Sequence, residues 1–153
     1  MTDQTLTPLD LPLPADDDRS ARAASLRSRA HVQAGDKDAW LALFTSDAVV
    51  ADPVGPSMFD PEGHGHRGPE ARAAFWDAAI APNRVHMDIY RSHQCADQVA
   101  NVATVTTTLG DGSRAIIDIV AVYTVEPGSG LIESMAVYWE MDAMRFEAAP
   151  SGA

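Results

Sequence analysis

The apolar positions of this chain change character near its middle, from spaced contacts on helical segments to long β-branched runs. Asp18 or Ser20 can cap a helix running to Ala34, and Gly35 supplies its stop because glycine accepts positive φ. Asp36-Lys37-Asp38 opens a shorter helix carrying Trp40, Leu41 and Phe44. Ser46-Asp47 makes a turn, and Ala48 to Asp52 reads as the first strand. Pro56 to Gly68, rich in Pro, Gly, Asp and His, is a loop. Pro69 then suits the first position of a third helix ending at Ile80, with Ala73, Phe75 and Trp76 as apolar contacts. Four strands follow: Val85 to Arg91, Gln98 to Leu109, Arg114 to Val125 and Leu131 to about Met141. Gly110-Asp111-Gly112 and Pro127-Gly128-Ser129-Gly130 join the last three as hairpins. Three helices and then a strand meander make an α+β chain, whose long strands can curl into a cone around a small apolar ligand.

Length and composition narrow this further. The 153 residues suit one domain, placed at 18–146, with no internal repeat. Residues 1–17 hold Pro8, Pro12, Pro14 and most of the acidic run Asp16-Asp17-Asp18, the composition of a disordered lead-in, and 147–153 read as a frayed tail. A formal charge of −11 argues against nucleic acid or an anionic membrane as partner. No apolar run approaches a membrane span, no basic residue precedes Arg19, and Cys95 stands alone, so a cytoplasmic, reducing location is expected.

Asp52 is the leading candidate for chemistry. It ends the apolar run Val49-Val50-Ala51 and precedes Pro53-Val54-Gly55, a setting that partly withdraws its carboxylate from water. Desolvation raises a carboxylate's basicity, which proton abstraction beside a carbonyl requires. The same residues also suit a plain strand end with a turn cap. Elsewhere the signals are thin. Gly63-His64-Gly65-His66 lacks a third ligand, so no metal is predicted, and no nucleotide fingerprint or other cofactor motif is present. His86 and Asp88 alternate along one strand face, and Cys95 has no histidine partner.

Several segments together resemble a known family. Gln33-Ala34-Gly35-Asp36, Trp40-Leu41-Ala42-Leu43-Phe44, Val50-Ala51-Asp52-Pro53-Val54-Gly55 and Gly130-Leu131-Ile132-Glu133-Ser134-Met135-Ala136-Val137-Tyr138-Trp139 are similar to bacterial ketosteroid isomerases and their mycobacterial homologues, within the NTF2-like superfamily. The resemblance spans about Ser20 to Phe146. It implies an NTF2-like (cystatin-like) α+β cone: three N-terminal helices on a strongly curved mixed sheet that encloses an apolar pocket, forming a homodimer through the outer sheet face. It also implies double-bond isomerisation of a small cyclic ketone or enone, such as a 3-ketosteroid, with Asp52 as general base. In that family a tyrosine and a protonated aspartic acid stabilise the dienolate oxygen. The same superfamily includes polyketide cyclases, dehydratases and non-catalytic carriers or sensors of hydrophobic molecules.

Counting along the matched segments finds neither of those two oxyanion donors. The tyrosine's position falls on Ser28 and the second acid's on Ala121, while Asp118, three residues earlier, faces the other side of the sheet. Tyr123, one step along from Ala121, and Ser28 itself are the candidate replacement donors, with His31 on Ser28's helical face. The remaining expected pocket contacts are Val50, Phe75, Thr104, Thr106, Ile119, Met135, Val137 and Trp139. Threonine hydroxyls at 104 and 106 would make the pocket more polar than the family's.

Overall fold

The computed structural model describes residues 6–151. Helix α1 spans Ala21–Ala34 and α2 spans Lys37–Leu41. Strand β1 (Phe44–Ala51) and the short β2 (His66–Arg67) lead into α3 (Gly68–Phe75), which continues as one π-helical turn, Trp76–Ile80. Strands β3 (Arg84–Cys95), β4 (Gln98–Thr108), β5 (Arg114–Val125) and β6 (Ile132–Tyr138) follow, and β7 (Arg145–Glu147) closes the chain. One sheet holds all seven strands in the order β2-β1-β6-β5-β4-β3, with β7 added alongside β5. Among the described residues only β1 and β6 pair in parallel; the other pairs are antiparallel, so the sheet is mixed.

Local chemistry explains the helix ends. Ser20 accepts a bond from the Ala23 N–H at 3.1 Å, and Gly35 stops α1 at φ 69° with its N–H donating to Val32. The buried side of α1 carries Ala21, Ala24, Ser25 and Ser28, one helical stripe of small side chains that lets the helix lie close to the sheet. Ser25 Oγ accepts from Asn101 Nδ2 on β4 at 3.0 Å, a buried bond fixing the helix to the strand. The core closes around Trp40, fully buried, whose ring meets Phe44 at 4.7 Å and Trp76 at 5.3 Å.

Several expected boundaries move. Phe44 opens β1 instead of closing the second helix, because Ile132 N–H donates to Leu43 O and draws the chain into the sheet there. Asp52 is the first residue beyond β1, and the third helix loosens at Trp76 into i→i+5 bonding, with Ala81 N–H donating to Trp76 O. Strand β3 extends past Arg91 to Cys95, beyond a bulge between Ile89 and Arg91. The expected frayed tail begins inside a strand, since Glu147 ends β7 and Arg114 pairs with it. The expected mobile lead-in is irregular but tied down. Leu9 N–H donates to Ile89 O at 2.7 Å, Arg29 Nη2 to Leu11 O at 3.1 Å and Arg27 Nη2 to Ala15 O at 2.8 Å. The expectations for residues 1–5 and 152–153 lie outside the described residues. Among the described residues no helix is long and apolar enough to cross a membrane.

The strand that delivers Asp52 is secured from behind by Arg72 of α3. This guanidinium is 2% exposed, lies 5.1 Å from the Phe44 ring centre and donates to the carbonyls of Ala48, Thr45 and Ser46, at 2.7, 3.1 and 3.5 Å. Those carbonyls lie where the β1–β6 register shifts between Phe44 and Val49, so they lack regular sheet partners. Removing the donor strands buried acceptors, each costing about 1–3 kcal/mol. Arg72→Met is expected to lower the unfolding free energy in urea by about 3 kcal/mol; a loss within experimental error would show that the carbonyls find other partners.

Candidate functional site

A cavity of about 310 Å³ lies between the helices and the concave face of the sheet. That is at the small end of ligand pockets, which run to roughly 300–1,000 Å³. Strand alternation decides which side chains face it. On β5 the inward positions are Ala115, Ile117, Ile119, Ala121 and Tyr123, and on the adjoining β4 they include Val105 and Thr107. Met135 and Val137 of β6 and Phe75 of α3 complete most of the apolar wall.

Asp52 lines this cavity. Its Oδ1 accepts a 2.7 Å hydrogen bond from Trp139 Nε1, and the turn after it is held to β6 by Val54 N–H donating to Val137 O. By accessible surface Asp52 is half-buried, because one side opens on the cavity, yet protein atoms enclose it. That enclosure raises its pKa above the ordinary 3.8; the Trp139 bond acts in the opposite direction and is the smaller effect. The result is a carboxylate oriented by one donor, with its other lone pairs free and its basicity increased.

Tyr123, Ser28 and Trp40 form a polar cluster in the same cavity wall. Trp40 Nε1 donates to Ser28 Oγ at 3.1 Å, and the Tyr123 hydroxyl lies 3.4 Å from Ser28 Oγ. Burial, opposed by the Ser28 bond and helped by the nearby Asp52 charge, pushes the Tyr123 phenol up to about 12. The phenol is therefore a persistent donor. A proton count sharpens the point. Serine and tyrosine carry one O–H each, and one bond between them consumes only one of the two. Trp40 supplies a further N–H and no acceptor. Among the described residues nothing else accepts from either hydroxyl, so one buried O–H remains unspent at the cavity wall.

The expected pocket residues separate cleanly. Asp52, Ser28, Tyr123, Phe75, Ile119, Ala121, Met135, Val137 and Trp139 all line the cavity. Thr104 and Thr106 do not, and this corrects their expected parity. They pair across β4–β5 with Asp118 and Ile116 on the outer sheet face, where Thr104 Oγ1 donates to Asp118 Oδ1 at 2.7 Å. His31 also falls outside the lining. At about 100° per residue it lies about 60° to one side of Ser28, whereas Val32 and Arg29, which do line the cavity, lie about 40° and about 100° to the other side. Val50 shares a strand face with Asp52 but is completely buried in the core, leaving no surface for a ligand. The sequence reading missed Arg29, Val105 and Thr107 in the lining and the hub role of Trp40; a β4 register one residue along would have found Val105 and Thr107.

The other constellations stand apart from the cavity. Asp118 is bonded to Arg145 at 3.1 Å and Thr104 on the outer face, and these bonds hold its carboxyl below the usual range. His86 Nε2 lies 3.0 Å from Asp88 Oδ1 on an exposed strand. His66 packs its ring against Phe75 at 4.9 Å, and His64 is exposed beside Glu62. Among the described residues no three His, Cys, Asp or Glu side chains gather as metal ligands.

The sequence model of the SnoaL-like domain matches residues 26–135. No curated protein matches the chain. Among solved structures, the Δ5-3-ketosteroid isomerase of a Mycobacterium species is 39% identical, with a TM-score of 0.79, over 83% of this chain and 98% of that one. Rv0760c of Mycobacterium tuberculosis is 36% identical, also with a TM-score of 0.79, over 83% of this chain and 96% of its own, and has been solved in complex with estradiol-17β-hemisuccinate. The epoxide hydrolase/cyclase-like enzyme SalBIII, of pyran ring formation in polyether salinomycin, is 25% identical, with a TM-score of 0.70, over 84% of this chain and 96% of its own.

The raised pKa of Asp52 has a consequence for stability. Folding binds the Asp52 proton more tightly than the unfolded chain does, so the native state is penalised as pH rises from about 3.8 through the folded pKa, and fully penalised above it. Asp52→Asn keeps an acceptor for Trp139 and removes the buried charge. It is expected to melt above the wild type at pH 7, with the gap closing as pH falls toward 4; a variant that melts lower at pH 7 would contradict a desolvated carboxylate.

Proposed function

The chain belongs to the SnoaL-like family, and from that footing we propose that it moves a proton on a small cyclic ketone or enone, as a steroid double-bond isomerase does. The observation that carries this reading is the meeting, in one apolar cavity, of a basic carboxylate on Asp52 with an unspent hydroxyl proton in the Ser28–Tyr123 pair. Asp52 removes a proton from the carbon beside the ketone, and the electron pair moves onto the carbonyl oxygen. The unspent O–H donates to that oxygen as it gains charge, with Tyr123 and Trp40 polarising the Ser28 hydroxyl. Asp52 then returns the proton to the far end of the conjugated system, and the double bond has shifted with no net change of atoms. Two relatives support a steroid-sized ligand: one is itself a ketosteroid isomerase, and the other was solved with an estradiol ester.

One observation favours a carrier of hydrophobic molecules as the second reading. Ala121, where the resemblance puts a second acid, offers the cavity no polar atom. As a further part of the proposal, a second copy of the chain would dock on the outer sheet face, where the paired Val120 and Tyr138 stand exposed.

The test is turnover of a Δ5-3-ketosteroid followed by enone absorbance. Asp52→Asn is expected to cut kcat about 10²–10⁴-fold, the usual worth of a positioned base. Ser28→Ala and Tyr123→Phe each leave one hydroxyl proton for the oxygen, so the double variant is expected to lose about 10²–10³-fold and each single variant much less. Steroid binding with no wild-type turnover would leave the carrier. The rate should fall as the medium is acidified through the raised pKa of Asp52, which protonates the base. It should show no loss from Tyr123 ionisation until pH nears about 12. A pH-independent rate at the acid end would remove Asp52 from the chemistry.

A further inference from the structure

Among the described residues, one charged side chain besides Asp52 lines the cavity: Arg29 of α1. A guanidinium carries five N–H donors in a planar fork. Arg29 uses one hydrogen bond, from Nη2 to the neutral carbonyl of Leu11, and among the described residues no carboxylate lies within ion-pair distance of it. Arg29 is thus a half-buried cation on a mostly apolar wall, with most of its donors unspent. Its bond to Leu11 draws the guanidinium toward the N-terminal segment, which is itself tied to β3 at Ile89.

The surrounding elements hold it there. The second half of α1 lies beside β3, where Gln33 Oε1 accepts from Met87 N–H at 2.9 Å, and Val32 and Met87 line the cavity with Arg29. The N-terminal segment crosses this seam, bonded at Leu9 to Ile89 O and at Leu11 to Arg29. The mostly apolar wall thus carries, besides the neutral side chains of Asn83 and Thr107, a base and a hydroxyl donor at Asp52 and the Ser28–Tyr123 pair, and the unspent guanidinium N–H groups of Arg29.

We propose that Arg29 binds a carboxylate carried by the ligand, so that the favoured molecule is an apolar cyclic ketone with an acidic side arm rather than a neutral one. The guanidinium fork matches two carboxylate oxygens, and the apolar surroundings strengthen a charge-assisted bond. The ketone enters at the Asp52 end and the acid stays at the α1–β3 seam. This inference rests on the ketone-binding reading above and adds the second functional group of the ligand.

Binding is the test, because it needs no turnover. Testosterone hemisuccinate and its methyl ester share the enone and ring system and differ by one charge. The wild-type protein is expected to bind the free acid at least about tenfold more tightly than the ester, by calorimetry at low salt. Arg29→Gln, which can still donate to Leu11 O, should erase that preference while leaving ester affinity unchanged. Equal affinity of acid and ester for the wild type would overturn the Arg29 site and leave the ketone pocket standing. A preference that survives in Arg29→Gln would overturn it as well. An equal loss for both ligands would mark Arg29 as a latch for the N-terminal segment alone, and failure of both ligands to bind the wild type would overturn the pocket reading together with the site.

Discussion

The 2.7 Å bond from the Trp139 indole to Asp52 is the contact on which the proposed chemistry of the cavity depends. An unpartnered carboxylate in an apolar cavity would swing toward water or take up a proton, because desolvating its charge is costly. A single donor is a compromise. It orients one oxygen and leaves the other exposed to whatever occupies the cavity, yet it is too weak to cancel the effect of burial on the pKa. More donors would have made Asp52 a settled anion. The supporting structure follows from that need: Arg72 secures the strand leading to Asp52, and Val54 ties the following turn to the strand that brings in Trp139.

Across the cavity the same economy appears in the hydroxyl cluster. Ser28 takes bonds from Trp40 and lies within bonding distance of Tyr123, so a short side chain on a helix becomes a junction for two large aromatic ones. This arrangement differs from the tyrosine and acid that the family resemblance implies, yet it leaves a buried proton facing the same space. The small residues of α1 make the junction accessible. With Ala21, Ala24 and Ser25 against the sheet, the helix sits near enough for Ser28 to meet a tyrosine of β5.

Much of this was legible in the residues. Ser20 and Gly35 mark α1 by capping chemistry, and the alternation on β5 separated Ala121 and Tyr123 from Asp118 before any coordinates. Strand β4 misled because both of its faces look alike. Valine and threonine have nearly the same shape, and both the set Val99, Asn101, Ala103, Val105 and Thr107 and the set Val102, Thr104 and Thr106 mix apolar with polar side chains. Only pairing with β5 breaks that tie. The prolines and acids of the N-terminal segment predict mobility and carry no trace of the backbone carbonyls that Arg27 and Arg29 reach across to bind. Arg29 went unnoticed for the same reason: a surface-type residue on a helix shows its role only when the wall beside it is known to be a cavity.

In the proposed function, Asp52 exchanges protons with carbon beside a bound ketone. The most direct measurement is proton NMR of a saturated 3-ketosteroid kept with the protein in D2O, which follows α-hydrogen exchange whether or not a double bond can migrate. The wild type is expected to remove the α-proton signals far faster than buffer does, and Asp52→Asn to return the rate to that of buffer. Exchange no faster than buffer with a ligand demonstrably bound, or undiminished exchange in Asp52→Asn, would contradict it.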